Sequence, residues 1–214
     1  MKKFAVVLSG CGVYDGAEIH EATLTLLAIL KNGGTYDVFA PNINQHHVIN
    51  HITGEEMKET RNVLVESARI ARGKIKDLAD FDASSYDILI FPGGFGVAKN
   101  LSTLAFDGAS CKVDLNMEKA VLDMVKATKP IGALCIAPAV IAKIIQGALV
   151  TVGNDEPTIQ AIENMGSNHQ KATHGEIVVD EAFKIVSTPC YMLDANILQI
   201  AEGAENVVKK LMQL

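Results

Sequence analysis

The stretch Ile131-Gly132-Ala133-Leu134-Cys135-Ile136-Ala137-Pro138 decides the fold of this chain. Its first part, Ile131–Leu134, is a short apolar run that predicts a buried strand. The segment that follows, Ala137–Gln146, has a helical pattern and stops at Gly147, a residue that commonly ends helices. The stretch is therefore a strand that turns directly into a helix, and Cys135 lies in the turn.

The rest of the chain repeats this alternation of short β-rich runs and longer runs of helical period, which is typical of a parallel sheet with crossover helices. The predicted strands are Phe4–Leu8, Tyr36–Ala40, Tyr86–Phe91 and Ile131–Leu134, and the predicted helices are Ala17–Asn32, Asn62–Arg72, Val113–Thr128, Ala137–Gln146 and Ala195–Leu214. Late in the chain, Ile177–Asp180 and Lys184–Ser187 predict a β-hairpin. We expect one α/β domain over residues 1–214, with a mostly parallel sheet flanked by helices on both faces and a small late β-hairpin.

Composition narrows the class of protein. The 214 residues are 49% hydrophobic and 21% charged, as in ordinary globular domains. The net charge of −6 and the lack of a dense Lys/Arg run argue against a nucleic-acid partner. The first apolar run ends at Ser9 and is too short for a membrane span. The cysteines are scattered without a CxxC pair, which fits free thiols in a reducing compartment, and we expect a cytoplasmic protein with no membrane partner.

Three segments that contain candidate functional residues follow predicted strands. They are the Gly-rich turn Ser9–Gly16, which precedes the acidic pair Glu18 and Glu21, the turn Pro92-Gly93-Gly94, and the turn at Cys135. In open α/β sheets, ligands bind where the carboxyl ends of neighbouring strands meet. We therefore expect these segments to form one cleft.

The position of Cys135 predicts a reactive thiol. The positive end of the following helix favours the thiolate, so we expect a lowered thiol pKa. The backbone amides of Gly93, Gly94 and Ile136 are candidates to hold an oxyanion. From position alone, a small buried cysteine at a tight junction is an equally good interpretation.

A family resemblance favours the reactive interpretation. The segments 92–96, Pro-Gly-Gly-Phe-Gly, and 132–138, Gly-Ala-Leu-Cys-Ile-Ala-Pro, together resemble the nucleophile framework of the ThiJ/PfpI superfamily. The segment 16–21, Gly-Ala-Glu-Ile-His-Glu, is similar to the superfamily's first helix, in which the second acidic residue lies beside the nucleophilic sulfur. The resemblance implies a flavodoxin-like, amidotransferase-like sandwich with Cys135 as nucleophile and Glu21 beside it.

Longer strings resemble one branch of that superfamily. The segments 8–16, 48–55, 59–64 and 93–102 are similar to the ElbB branch, whose members are also called sigma cross-reacting or isoprenoid-biosynthesis-enhancing proteins. This resemblance implies a cofactor-independent glyoxalase that converts glyoxal, or a similar small 2-oxoaldehyde, to a 2-hydroxy acid such as glycolate. It implies a hemithioacetal on Cys135, proton shuttling by Glu21, no cofactor, no metal and a homodimer.

One departure from the superfamily keeps other functions open. Many members have His directly after the nucleophile, whereas Ile136 stands here and cannot move a proton. A glutamine amidotransferase-like subunit would therefore have an incomplete triad. A redox-sensing or chaperone-like stress protein would need only an oxidisable thiol and an exposed apolar surface.

Several further residues are possible site residues. Glu18 and His20 share the first-helix segment with Glu21, and His20 could line the cleft or meet a partner chain. Cys11 lies in the Gly-rich turn at the end of a strand. His174 resembles the His-x-Glu pair of triad amidotransferases, although a plain loop histidine is the simpler interpretation.

The segment Pro41–Glu59 is polar, and we interpret it as an irregular loop or a short hairpin. It contains His46, His47 and His51. No nearby cysteine or carboxylate pair completes a ligand set around them, so we predict no metal site.

Overall fold

The computed structural model describes residues 1–214 and has nine strands and eight helices. The strands are β1 Lys3–Val7, β2 Thr35–Ala40, β3 Ile75–Asp77, β4 Ile88–Phe91, β5 Ile131–Leu134, β6 Leu149–Val150, β7 Asn168–His169, β8 Val178–Asp180 and β9 Ile185–Thr188. The helices are α1 Ile19–Lys31, α2 Val63–Ile70, α3 Phe95–Lys99, α4 Leu104–Asp107, α5 Leu115–Lys126, α6 Ala137–Ile144, α7 Glu156–Asn164 and α8 Ile197–Gln213. None of these helices combines the length and the apolar character that crossing a lipid bilayer requires.

The main sheet has seven strands in the order β3-β2-β1-β4-β5-β9-β8. All neighbours in it are parallel except β8 and β9, which are antiparallel. The prediction of a mostly parallel sheet with a late hairpin is therefore confirmed. Because β9 also pairs with β5, the hairpin extends the main sheet, while β6 and β7 form a separate two-stranded sheet.

Helices cover both faces of the sheet, and this explains why its central strands are continuous apolar runs. Every residue of β4 and β5 is buried, as expected for strands with a core on each side. Along β1, Ala5 and Val7 pack into one core, whereas Phe4 and Val6 pack into the other. Successive side chains of a strand point to opposite faces, so both faces of β1 must be apolar.

Side-chain caps determine where the helices that carry the site begin. Glu18 precedes α1 and accepts a hydrogen bond from the Glu21 amide. Asp155 does the same for α7 by accepting from the Thr158 amide. Such caps satisfy amides that have no partner inside the helix. The cap at Glu18 places Glu21 in the first buried turn of α1.

Six short elements have no counterpart in the sequence-based prediction, namely β3, β6, β7, α3, α4 and α7, and two of them show why. Strand β3 has only three residues and lies at the sheet edge, where few positions are buried. Helix α7 buries only Ile159 and Ile162, so its apolar residues are too few to produce a clear helical period. The conformation of these two elements therefore depends on tertiary packing more than on the local sequence pattern.

Candidate active site

Cys135 lies at a strained backbone turn between β5 and α6. Its φ of 61° is in the left-handed region, which residues other than glycine rarely adopt. The Cys135 amide donates to the carbonyl of Thr188 on β9 over 3.0 Å, which ties the turn to the sheet. Strain of this kind persists only where the surrounding structure enforces it, and it concentrates at functional sites.

Three groups of the chain meet at the sulfur of Cys135. The backbone amides of Gly94 and Ile136 donate hydrogen bonds to Sγ, and the thiol bonds to the carboxyl of Glu21. A methyl group added at Gly93 would lie 2.9 Å from Sγ and 2.7 Å from Oε2 of Glu21. Only glycine therefore fits at position 93.

The carboxyl of Glu21 is held from the other side by two further amides. The Gly93 amide donates to Oε2 over 2.9 Å, and the Tyr191 amide donates to Oε1 over 3.3 Å. The structure thus uses the Gly93 amide differently from the sequence-based expectation, which assigned it to an oxyanion. Gly94 and Ile136 remain as the residues whose amides face Sγ of Cys135.

Burial controls the ionisation of both Glu21 and Cys135. Burial, reinforced by the negative charge of Glu18, raises the pKa of Glu21 to about 8, although its hydrogen bonds oppose the shift. Burial and the neighbouring Glu21 also raise the pKa of Cys135 well above its usual value. The expectation of a lowered thiol pKa is wrong, because desolvation outweighs the two amides. The carboxyl of Glu21, with a pKa near neutrality, therefore lies against a thiol whose own pKa is raised.

The sulfur opens into a cavity of about 380 Å³, which we call the Cys135 cavity. It lies beyond the carboxyl ends of β4 and β5, where α/β sheets bind ligands. Its walls are formed by nine residues, Val13, Gly94, Phe95, Cys135, Ile136, Asp155, Thr158, Tyr191 and Met192. No histidine is among them. Four of these residues, Asp155, Thr158, Tyr191 and Met192, are not candidates from the sequence, because they reach the cavity through α7 and the segment after β9.

Glu18 and His20 lie beside this centre without reaching the sulfur. Glu18 accepts from the Glu21 amide over 2.7 Å, and its own amide donates to Gly93 O over 2.9 Å. Glu18 therefore fixes the diglycine turn against α1. His20 is exposed, and its Nδ1 lies 2.8 Å from the hydroxyl of Tyr191, which separates it from the Cys135 cavity.

The structure places Cys11 and His174 elsewhere. Cys11 is half-buried beside Glu66 and Arg69, and burial followed by the charge of Glu66 raises its thiol pKa. His174 lines a separate, polar depression together with Glu202. Neither side chain lines the Cys135 cavity. No group of three or more His, Cys, Asp or Glu side chains is arranged to bind a metal ion.

The histidine-containing segment after β2 holds the Gly-rich turn in place. The Ile49 amide donates to Oδ2 of Asp15 over 2.6 Å, and the Tyr14 amide donates to Nε2 of His51 over 3.2 Å. The only strand-like pairings in the segment are isolated bridges, Asn44 with Asn62 and Ile49 with Glu56. The segment is thus an irregular loop that supports the turn carrying Val13.

The buried side chain of Asn100 connects this loop to the turn. Its Nδ2 donates to Ser9 O over 2.9 Å and to Asp15 O over 2.8 Å. Its Oδ1 accepts from the His46 amide over 2.9 Å. One side chain therefore joins three segments around the site.

Curated proteins of known sequence include full-length relatives of this chain, although no family model matches it. The ES1 protein homolog, mitochondrial, of Rattus norvegicus is 46% identical, with 99% of this chain and 84% of that protein aligned. The human glutamine amidotransferase-like class 1 domain-containing protein 3, mitochondrial, is also 46% identical, over 99% and 83% of the two chains. The ES1 protein, mitochondrial, of Danio rerio is 38% identical, over 98% and 85%.

Solved structures show the same fold. An isoprenoid biosynthesis protein with an amidotransferase-like domain from Ehrlichia chaffeensis superimposes with a TM-score of 0.94 at 37% identity, covering 100% of this chain and 99% of that one. Glyoxalase III from Candida albicans superimposes with a TM-score of 0.65 at 15% identity, over 99% and 96%. The second likeness concerns the fold alone.

The names of the relatives correct one expectation. The three relatives described above are all named mitochondrial, so the prediction of a cytoplasmic protein is wrong. That prediction was drawn from four free cysteines, and free thiols indicate only that a compartment is reducing. They do not distinguish one reducing compartment from another.

Proposed function

Because this chain belongs to the family of ES1 and ElbB proteins, with the amidotransferase-like fold of the ThiJ/PfpI superfamily, we propose that it is a cofactor-independent glyoxalase acting through Cys135 and Glu21. The proposed reaction converts glyoxal and water to glycolate. The arrangement that carries the proposal is the strained Cys135 turn, with two amides on Sγ and a buried carboxyl beside it. The pKa of Glu21 is raised to about 8, and a group that titrates near neutrality can both accept and return a proton.

The first step forms a covalent bond between the enzyme and one aldehyde carbon. The Glu21 carboxylate takes the thiol proton as the sulfur of Cys135 attacks the carbonyl, whose π electrons move to its oxygen. The amides of Gly94 and Ile136 are close enough to the sulfur to stabilise that oxyanion. Return of the proton from Glu21 to the oxygen gives a neutral hemithioacetal.

The second step moves a hydrogen between the two carbons. Glu21 removes the hydrogen of the sulfur-bearing carbon as a proton, and the electrons move onto the neighbouring carbonyl oxygen to give an enediolate. That oxygen takes the hydroxyl proton of the sulfur-bearing carbon. Glu21 then returns its proton to the neighbouring carbon, and the C=O bond that re-forms on the sulfur-bearing carbon gives the thioester of glycolic acid. One carbon is oxidised and the other reduced, so no external oxidant or reductant is needed. Water hydrolyses the thioester, the C–S bond breaks, and the Cys135 thiol recovers its proton.

The alternatives receive less support from the site. Glutamine amidotransferase-like chemistry lacks a histidine partner, because Ile136 follows the nucleophile and no histidine lines the Cys135 cavity. A redox-sensing role needs an accessible thiolate, whereas Cys135 is 7% exposed and its pKa is raised. The homodimer implied by the resemblance stays a prediction.

The proposal is tested by incubating purified protein with glyoxal and measuring loss of glyoxal and formation of glycolate. Removing a general acid-base or a nucleophile costs about 100-fold or more, so Cys135→Ser and Glu21→Gln should each lose at least that factor. Cys111→Ser is the matched control, because Cys111 is buried in the core on the other face of the sheet. Unchanged turnover in Cys135→Ser would refute the assignment.

A further inference from the structure

We propose that the Cys135 cavity selects uncharged 2-oxoaldehydes with an apolar substituent, such as an aryl or branched alkyl group, over glyoxal and over anionic substrates. This inference rests on the proposed function and specifies its substrate class. The cavity volume is about 380 Å³. A water molecule takes about 30 Å³ of liquid, so glyoxal, with its four non-hydrogen atoms, fills a small part of the space. Cavities of about 300 Å³ and more accommodate considerably larger ligands.

Most of the cavity wall is apolar. Apart from Cys135, five of its nine lining residues have apolar or aromatic side chains, Val13, Phe95, Ile136, Tyr191 and Met192. The Phe95 amide donates to Val13 O over 2.8 Å, which holds these two residues together at the rim. The side chain of Phe95 is 49% exposed, so a bound apolar group would remove aromatic surface from water. Burial of that surface stabilises a complex roughly in proportion to its area.

The lining also includes one carboxylate, Asp155, whose side chain is fixed in place. Oδ2 of Asp155 accepts from Thr158 twice, from its amide over 3.1 Å and from its hydroxyl over 2.5 Å. No lysine or arginine lines the cavity to balance this charge. A substrate carboxylate placed near Cys135 would therefore face like charge without a counter-ion, which is an effective way to exclude it.

Other charged groups near the cavity do not reverse this balance. Burial raises the pKa of Tyr191, so its phenol stays neutral. Lys99 lies outside the wall, with Nζ 5.3 Å from the centre of the Phe95 ring and bonded to Tyr14 O. Glu18 and Glu21, behind the sulfur, add only negative charge when ionised. The cavity is therefore suited to neutral ligands.

Turnover provides the first test. We expect kcat/KM for phenylglyoxal to exceed that for glyoxal at least about tenfold, since each methylene-sized contact in an apolar pocket contributes about tenfold or more. Equal values, or a preference for glyoxal, would overturn the inference while leaving the proposed function intact. If neither aldehyde is consumed, the proposed function fails, whereas the preference of the cavity for neutral apolar ligands is decided by a measurement that needs no turnover.

That second measurement is the rate at which Cys135 is alkylated, followed by peptide mass spectrometry and normalised to N-acetylcysteine. Cys135 should favour N-phenylmaleimide over N-ethylmaleimide, and iodoacetamide over iodoacetate, each about tenfold more than the free thiol does. Asp155→Asn should raise the iodoacetate rate about tenfold and leave the iodoacetamide rate unchanged, because Asn preserves the helix cap. Glu163→Gln, an exposed carboxylate on the same helix, should change neither rate. Reagent preferences equal to those of the free thiol, or an unchanged iodoacetate rate in Asp155→Asn, would contradict the inference.

Discussion

Replacing Glu21 by Gln should make the protein more resistant to alkaline pH, even though it removes the proposed proton shuttle. The ordinary pKa of a glutamate, 4.5, is raised to about 8 by burial of this side chain in the folded state. Each pKa unit corresponds to about 1.4 kcal/mol, so ionised Glu21 disfavours the folded state by about 5 kcal/mol. Below pH 4.5 the carboxyl is protonated in both states, and stability is then lost as the pH rises through 8.

Most of this effect lies within an accessible range of pH. Integrating proton binding with pKa values of 4.5 and 8 gives a loss of about 4 kcal/mol between pH 5 and pH 9. Urea unfolding of the wild type and of Glu21→Gln at pH 5, 7 and 9 yields the free energy of unfolding of each. In Glu21→Gln, altered hydrogen bonding to the Gly93 and Tyr191 amides changes the free energy of unfolding by an amount that does not depend on pH. Groups whose pKa does not depend on Glu21 cancel in the difference, and burial keeps the folded Cys135 thiol protonated in both proteins over most of this range.

The informative quantity is therefore the difference between the free energies of unfolding of the two proteins, followed as a function of pH. Between pH 5 and pH 9 this difference should shift by about 4 kcal/mol in favour of Glu21→Gln. The exposed Glu163→Gln serves as the matched control and should show no such shift. A difference that stays constant within about 1 kcal/mol from pH 5 to pH 9 would refute the raised pKa of Glu21 and the proton transfer built on it.

Three further predictions concern the geometry of the site. Gly93→Ala would place a methyl group 2.7 Å from Glu21 Oε2 and 2.9 Å from Cys135 Sγ, so glyoxal consumption should fall about 100-fold. The control is Gly33→Ala, whose added methyl group has no atom within 4 Å, and this variant should retain glyoxal consumption. For the wild type, kcat/KM for glyoxal should rise about tenfold per pH unit below pH 8 and then level off. The reason is that Glu21, with a pKa of about 8, must ionise before it accepts the thiol proton. A value of kcat/KM that stays constant from pH 6 to 9 would contradict this prediction. Asn100→Ala removes hydrogen bonds to three backbone groups and should lower the free energy of unfolding by about 2–4 kcal/mol in urea titrations. A loss below about 1 kcal/mol would mean that the loop after β2 holds the Gly-rich turn in place without the Asn100 side chain.

The parts of the fold that follow from local pattern could be predicted from the sequence. Strand β5 has the predicted bounds, Ile131–Leu134, and α6 begins at the predicted Ala137. Both are defined by a short apolar run, small residues and a turn, which are local properties. Helix α7 is different, because most of its residues are polar and only two are buried. The cavity wall at Asp155 and Thr158 was therefore not predicted.

The sequence by itself determined the fold class, the cysteine at the strand-to-helix turn and, through family resemblance, the acidic partner Glu21. Tertiary structure alone decided that the Gly93 amide binds Glu21 while Gly94 and Ile136 face the sulfur. It also decided that the pKa of Cys135 is raised, where the helix position had suggested the opposite. The physical reason is that a pKa depends on desolvation and charge summed over all surrounding atoms. Around Cys135 those atoms come from segments far apart in the chain, which no local pattern brings together.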